Sequence, residues 1–173
     1  MIIKGKLVML RPIKISDATR FVKWFNDPDF NKFMARRAMS MREELKWIRG
    51  LSKKKDSIHF AIDTSDGVHI GSCGIHDIHK RDRHAFFGIG IGDKRFWGKG
   101  YGTEAIRLAL RYAFRKLKLR RISLWVYAYN PRAFRAYQKV GFLKTGILKK
   151  KTFWNGKFYD DFLMSVTKKE FKF

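Results

Sequence analysis

Three glycines within five residues, in Arg95-Phe96-Trp97-Gly98-Lys99-Gly100-Tyr101-Gly102, stand where one apolar pattern gives way to another. Before them, residues 85–91 alternate like a strand. After them, residues 103–117 place Ile106, Leu110, Ala113 and Leu117 on one helical face. The junction therefore predicts a strand, a glycine turn and a helix start. The first N–H groups of a helix lack partners within it and carry the positive end of its dipole. A bare backbone at that point is a place for an anion.

Two familiar phosphate patterns do not fit. A P-loop needs four residues between its Gly and Gly-Lys, then Ser or Thr; here five residues separate Gly92 from Gly98-Lys99, and Gly100 follows. A dinucleotide fingerprint needs Gly-x-Gly-x-x-Gly early in a βαβ unit, whereas Gly98-x-Gly100-x-Gly102 falls late. In the preceding strand Phe87, Ile89 and Ile91 share one face, and Phe86, Gly88, Gly90 and Gly92 the other. So bare a face marks either close approach by a ligand or tight packing against a neighbouring helix. A groove there, ending at an anion-binding helix, suits a long ligand carrying phosphates.

The remaining pattern places the junction in a larger sheet. Residues 6–13 read as a strand ended at Arg11-Pro12, and Ser16-Asp17 cap a helix to about Trp24. Asn26-Asp27-Pro28-Asp29 is a breaker, and Ser40-Met41-Arg42-Glu43 a capping box opening a helix to about Leu51. Strands at 58–63 and 68–75 flank Asp66-Gly67, a strong hairpin signal. Residues 122–128 read as a strand, and 131–140 as a helix begun by Pro131 and stopped by Gly141. Two last strands flank Asn155-Gly156. The order βααβββαβαββ predicts the α/β class, a mixed sheet with helices on both faces. No linker or repeat divides the 173 residues, so one domain is expected.

Lys and Arg number 39 against 15 Asp and Glu, a net charge of +24. Such an excess implies an anionic partner (nucleic acid, an acidic protein or a membrane surface) or simply solvated lysines. Arg107, Arg111 and Arg115 form one helical stripe, and Lys53–Lys55, Lys149–Lys151 and Lys168-Lys169 form clusters. Cys73 is the one cysteine, so no internal disulfide forms, and a buried thiol is expected. No signal-peptide shape or membrane-spanning apolar run occurs, so a cytoplasmic protein is expected.

Arg95-x-x-Gly98-x-Gly100 at this junction resembles the acetyl-CoA signature of the GNAT acetyltransferases. Asn130-Pro131-Arg132-Ala133-Phe134-Arg135-Ala136-Tyr137-Gln138-Lys139-Val140-Gly141-Phe142 is similar to that family's later Asn-x-x-Ala-x-x-x-Tyr-x-x-x-Gly-Phe stretch. Leu10-Arg11-Pro12 and residues 154–160 resemble the RimJ/RimL-type branch, which includes ribosomal-protein N-terminal, polyamine and antibiotic acetyltransferases. The resemblance implies a mostly antiparallel GNAT sheet of about seven strands with splayed central strands. It implies acetyl-CoA as cosubstrate, with its pyrophosphate on the backbone amides of Arg95, Phe96, Trp97, Gly98, Lys99, Gly100 and Tyr101, beside Gly102. It assigns the pantetheine arm to the main chain of Ile89 and Ile91 around Gly90, and to Asn130. Tyr137 would protonate the departing thiolate. Arg132 and Arg135 would either reach the nucleotide 3′-phosphate or form a solvated face. Relatives often dimerise.

Some GNAT enzymes carry a glutamate base on the strand of Ile89. Here that strand offers Phe86, Gly88 and Gly90, so the base falls to His76 and Asp77 on the preceding strand, or His76 is structural. The resemblance places the acceptor pocket between the first two helices, where the chain reads Phe33-Met34-Ala35-Arg36-Arg37-Ala38. Arg36 and Arg37 repel a polycation, so a protein or peptide N-terminus is expected, presented on an anionic surface such as ribosomal RNA. The alternative is a basic, nucleic-acid- or ribosome-associated binding module on the same scaffold with weak or no catalysis, betrayed by salt-sensitive RNA affinity.

Overall fold

The computed structural model describes residues 1–34 and 38–172. In chain order it comprises β1 (Ile3–Lys4), β2 (Val8–Pro12), α1 (Ala18–Phe25), α2 (Pro28–Asn31), α3 (Met41–Gly50), β3 (Ile58–Thr64), β4 (His69–His79), β5 (His84–Ile91), α4 (Tyr101–Arg115), β6 (Arg121–Tyr127), α5 (Pro131–Val140), β7 (Leu143–Trp154) and β8 (Lys157–Thr167). The strands form one sheet in the order β1-β2-β3-β4-β5-β6-β8-β7. Neighbours are antiparallel except β5 and β6, which the α4 crossover joins in parallel.

The sheet separates two apolar clusters. On one side Ile106, Leu110 and Phe114 of α4 meet Leu10, Ile62, Ile75, Phe87 and Leu124, all buried. On the other, Phe21, Trp24, Phe30 and Ile48 of the first three helices form a smaller core. Fully burying such a side chain contributes about 1.5–3 kcal/mol, which locks the period-2 faces of the strands into register. Cys73 is buried, as expected.

Long-range bonds change several expected boundaries. The sheet has eight strands among the described residues, because β1 adds two residues opposite Leu10 and Met9. The loop between β1 and β2 is held from afar: Glu104, in the first turn of α4, accepts the amides of Lys6, Leu7 and Val8 at 3.0, 2.7 and 2.8 Å. The breaker at Asn26–Asp29 in fact nucleates α2, since the Asp27 side chain accepts the Asp29 amide and Pro28 needs no donor. β4 runs on to His79 through an irregularity after His76, where Asp77 adopts φ 51°. At the exposed edge, β7 is broken around Lys149, Lys150 and Lys151, and Lys150 takes φ 50°. This lysine cluster thus blunts a sheet edge against unwanted pairing.

The parallel pair sets the stage for the site. β5 and β6 share only His84↔Arg121, Ala85↔Ile122 and Phe86↔Ser123. Beyond these, β5 stays with β4 as far as Ile91, and β6 stays with β8 as far as Tyr127. The strands part, and a cavity of about 780 Å3 opens between them.

Candidate active site

The cleft is bounded by the upper halves of β5 and β6, the glycine turn with the start of α4, and α5. Gly98 and Gly100 take φ values of 74° and 90°, left-handed geometry that other residues adopt only under strain. Gly100 is the N-cap of α4, so the helix opens at Tyr101, two residues before the expected start. Three of the amides assigned to an anion are already taken. The Arg95 N–H donates to the Asp93 side chain, the Phe96 N–H to the Asp93 carbonyl and the Trp97 N–H to the Lys94 carbonyl, each at 3.1 Å. The amides left without such partners form a shorter and later stretch than expected: Gly98, Lys99 and Gly100, then the first-turn amides of Tyr101, Gly102 and Thr103. The Arg95 side chain also turns back, meeting Asp93 at 2.7 Å. It fastens the turn, and the pairing holds the Asp93 carboxyl below its usual range.

The two arginines of α5 separate. Arg132 stacks on Trp97, 3.7 Å from the ring centroid, with Phe33 on its other flank at 5.1 Å. Desolvation there lowers its pKa. Arg132 is thus not a solvated face, because two aromatic rings hold the guanidinium at the wall of the cleft. The Trp97 indole donates to the Ile91 carbonyl at 2.6 Å, so that acceptor, expected to serve the pantetheine arm, is engaged. Arg135 is exposed and lines the cleft with Lys139 and Lys151, giving it a cationic rim.

Asn130 and Tyr137 occupy opposite ends of the first turns of α5. The Asn130 carbonyl oxygen caps α5 through the Ala133 amide at 3.1 Å, which leaves its NH2 group as the donor at the cleft. Tyr137 is buried, lines the cleft, and burial pushes its phenol well above the ordinary value. It stays protonated throughout the neutral range. The main chain of Ile89 and Gly90 lines the same space.

His76 and Asp77 stand on β4, where His76 pairs with Phe86 of β5, and neither lines the cleft. His76 Nδ1 meets Asp77 Oδ2 at 2.8 Å, and the imidazole stacks on Phe86 at 6.2 Å. A Cβ on Gly88 would find only His76 Nε2 nearby, at 3.9 Å. The other glycines of that face are covered. A Cβ on Gly90 would stand 2.7 Å from Phe30 Cζ, and one on Gly92 would strike the Trp24 ring. Packing explains those two, and Gly88 alone is open.

Phe33 and Met34 reach the cleft, while Arg36 and Arg37 lie outside the described residues. Sequence reasoning missed a tyrosine bracket over this segment. The Tyr127 and Tyr129 hydroxyls donate to the carbonyls of Met34 and Lys32 at 3.5 and 2.8 Å, and their rings stack at 5.2 Å. It also missed His59, packed over Gly74 and kept neutral by burial, its pKa lowered to about 4. The Tyr-x-Tyr spacing just before Asn130, which puts both rings near one face of a strand end, was the available signal.

A parted sheet with an amide-lined helix start and a cationic rim defines an enzyme that draws a long, phosphate-bearing cosubstrate into its sheet. The family model described as an acetyltransferase (GNAT) domain matches residues 8–143, and the chain belongs to the GNAT acetyltransferases. The Bacillus subtilis protein named "Probable N-acetyltransferase YjcK" is 33% identical over 174 residues, covering 95% of this chain and 96% of its own. The spermidine N(1)-acetyltransferase of Vibrio cholerae is 34% identical over 101 residues, 58% of each chain. A crystal structure of spermidine N-acetyltransferase from that organism, in complex with CoA and spermine, shares the fold with a TM-score of 0.89 at 24% identity, covering 96% of this chain and 98% of its own. The chain is an acetyl-CoA-dependent N-acetyltransferase.

Proposed function

We propose that the chain transfers acetyl directly to the α-amine of a protein or peptide N-terminus, with His76 as base and Tyr137 as acid. The observation that carries the reading is the His76–Asp77 pair beside the open Gly88. In the neutral ring Nδ1–H donates to Asp77, so the Nε2 lone pair is the one presented toward the parted strands. It takes the proton that the amine must lose. A new C–N bond forms at the thioester carbonyl, the C–S bond breaks, and Tyr137 hands its proton to the leaving sulfur. Gly98–Thr103 hold the pyrophosphate, Asn130 and the main chain near Ile89 orient the arm, and Arg135 with Lys139 and Lys151 meets the outer phosphate.

An α-amine has an ordinary pKa of about 8, against about 10.4 for an alkyl amine, so an imidazole suffices as its base. The charge of +24 further disfavours a polycation as acceptor. The test compares acetyl transfer to N-terminal peptides and to spermidine, in wild type and in His76→Gln. Peptide turnover that falls at least tenfold in the variant is expected. Rapid acetylation of spermidine with none of any peptide overturns the acceptor, and unchanged peptide turnover in His76→Gln overturns the base.

A further inference from the structure

One acidic side chain faces the cleft. Among the described residues that line it, Arg132, Arg135, Lys139 and Lys151 are cationic, and Asp161 of β8 is the single carboxylate. Asp161 pairs across the sheet with Tyr127 of β6 and with Leu148 of β7, and both of these line the cleft too. Tyr127 and Trp125 are two apart on one strand, so they share a face with Asp161, opposite the core residues Leu124 and Val126. The Tyr127 hydroxyl reaches the Met34 carbonyl, so this is the face that Phe33 and Met34 cover. The carboxylate therefore stands on the acceptor side of the sheet.

Its bonding is half complete. Asp161 is 7% exposed, and its Oδ1 accepts the Thr152 hydroxyl at 2.8 Å. Among the described residues no hydrogen bond reaches Oδ2, and no Lys or Arg nitrogen comes within 4.0 Å of the carboxylate. Lys151 stands next to Thr152, yet it is exposed and makes no ion pair among the described residues. The neighbouring Asp160 is engaged elsewhere, accepting the Lys150 amide at 2.8 Å. A buried carboxylate with one neutral hydrogen bond carries a desolvation cost that a cation offsets. The ring faces of Tyr127 and Trp125 beside it attract a cation as well.

We infer that Asp161 is a specificity-determining residue that anchors a second, non-reacting cation of the acceptor, the side chain of an Arg or Lys near the peptide N-terminus. This rests on the proposed peptide acceptor. The reacting amine itself is not the occupant, since it must shed a proton beside Gly88 and a carboxylate would hold that proton on it. β8 is two strands from β5, about 10 Å at ~4.8 Å per strand, and the parting of β5 from β6 adds to that. A basic side chain on the second or third residue spans the gap, at ~3.3 Å per extended residue. One carboxylate offsets one charge. Spermidine brings two beyond its reacting amine to a chain of net charge +24, so the site suits a peptide with a single basic residue.

The test uses the whole enzyme, acetyl-CoA and six-residue peptides in which one Arg, or its neutral isostere citrulline, occupies each position from two to five, with spermidine as a further acceptor. In wild type kcat/KM favours Arg about tenfold, with the maximum at position two or three and the gain in KM. Asp161→Asn still accepts the Thr152 hydroxyl but carries no charge, and Arg and citrulline peptides are then turned over alike. The ratio of the two within one preparation is independent of the folded fraction, so a merely structural loss does not move it, and the wild-type scan stands without any variant. A flat wild-type scan, as follows if Lys151 closes onto Asp161, overturns the anchor and leaves peptide acetylation standing. So does a maximum beyond position three, or a preference that survives Asp161→Asn. Transfer to spermidine with none to any peptide overturns the acceptor and the anchor together.

Discussion

Replacing Glu104 with Gln removes one atom's worth of acceptor from a carboxylate that binds three amides. In the protein, Oε1 accepts the Lys6 N–H, and Oε2 accepts those of Leu7 and Val8. A glutamine presents one carbonyl oxygen and one NH2 group, so at least one amide faces a donor. An orphaned amide costs about 1–3 kcal/mol when buried, and the two remaining bonds lose their charge assistance. The loop is partly exposed, so the lower end applies, and about 2 kcal/mol is expected. For a chain of 173 residues that is a fall of about 6 °C in Tm, and Glu104→Ala loses about 3 kcal/mol and correspondingly more. Calorimetry reads the melting point, and hydrogen exchange reads Lys6, Leu7 and Val8 directly. A fall below 2 °C in both variants, with those amides still protected, refutes the reasoning, because solvent or a neighbour then replaces the carboxylate at no cost.

Tyr137→Phe should lower kcat about 100-fold with little change in KM for acetyl-CoA, in steady-state kinetics across pH. Because burial raises the Tyr137 pKa, the phenol favours the folded state fully below about pH 10 as the neutral form. Stability then declines above pH 10 as the unfolded chain ionises, and alkaline melts of Tyr137→Phe should show a shallower decline. Gly90→Ala should lower Tm by about 5 °C, since its methyl meets Phe30, whereas Gly88→Ala should melt like wild type and lose activity. His59, depressed to about 4, favours folding most above pH 6.5 and loses that contribution as pH falls toward 4. Denaturant titrations of His59→Gln should show a flatter pH dependence over that window.

The legible parts of the fold were those decided within a few residues. Pro131 and Gly141 bound α5 at the residues read from the sequence, and Asn155-Gly156 forms its hairpin with φ values of 47° and 76°. The cleft was legible through the glycines before α4 and through Asn130 and Tyr137 after it. Distant partners decided the rest. β1 exists because a carboxylate 97 residues from Leu7 holds its loop. Gly90 and Gly92 looked bare until Phe30 and Trp24 filled the face, and nothing local says that Arg132 will stack on Trp97. The amides of Arg95, Phe96 and Trp97 are taken by the Asp93 side chain, the Asp93 carbonyl and the Lys94 carbonyl, and the glycine pattern carries no sign of that closure.

Only three residue pairs join β5 to β6 in the sheet, so the two pieces of chain on either side meet through a short hydrogen-bonded seam and a shared apolar core. The piece up to α4 keeps five hydrogen-bonded strands, and the piece from β6 onward keeps a three-stranded antiparallel sheet with α5. A cut in residues 116–120 therefore leaves each fragment with its own hydrogen-bonded sheet, and the proposed cosubstrate site, a cleft lined from both pieces, lies across the join. Acetyl-CoA then acts as a molecular splint. Fragments that fail to associate alone can be assembled by ligand, at a concentration that reports the occupancy of the cleft.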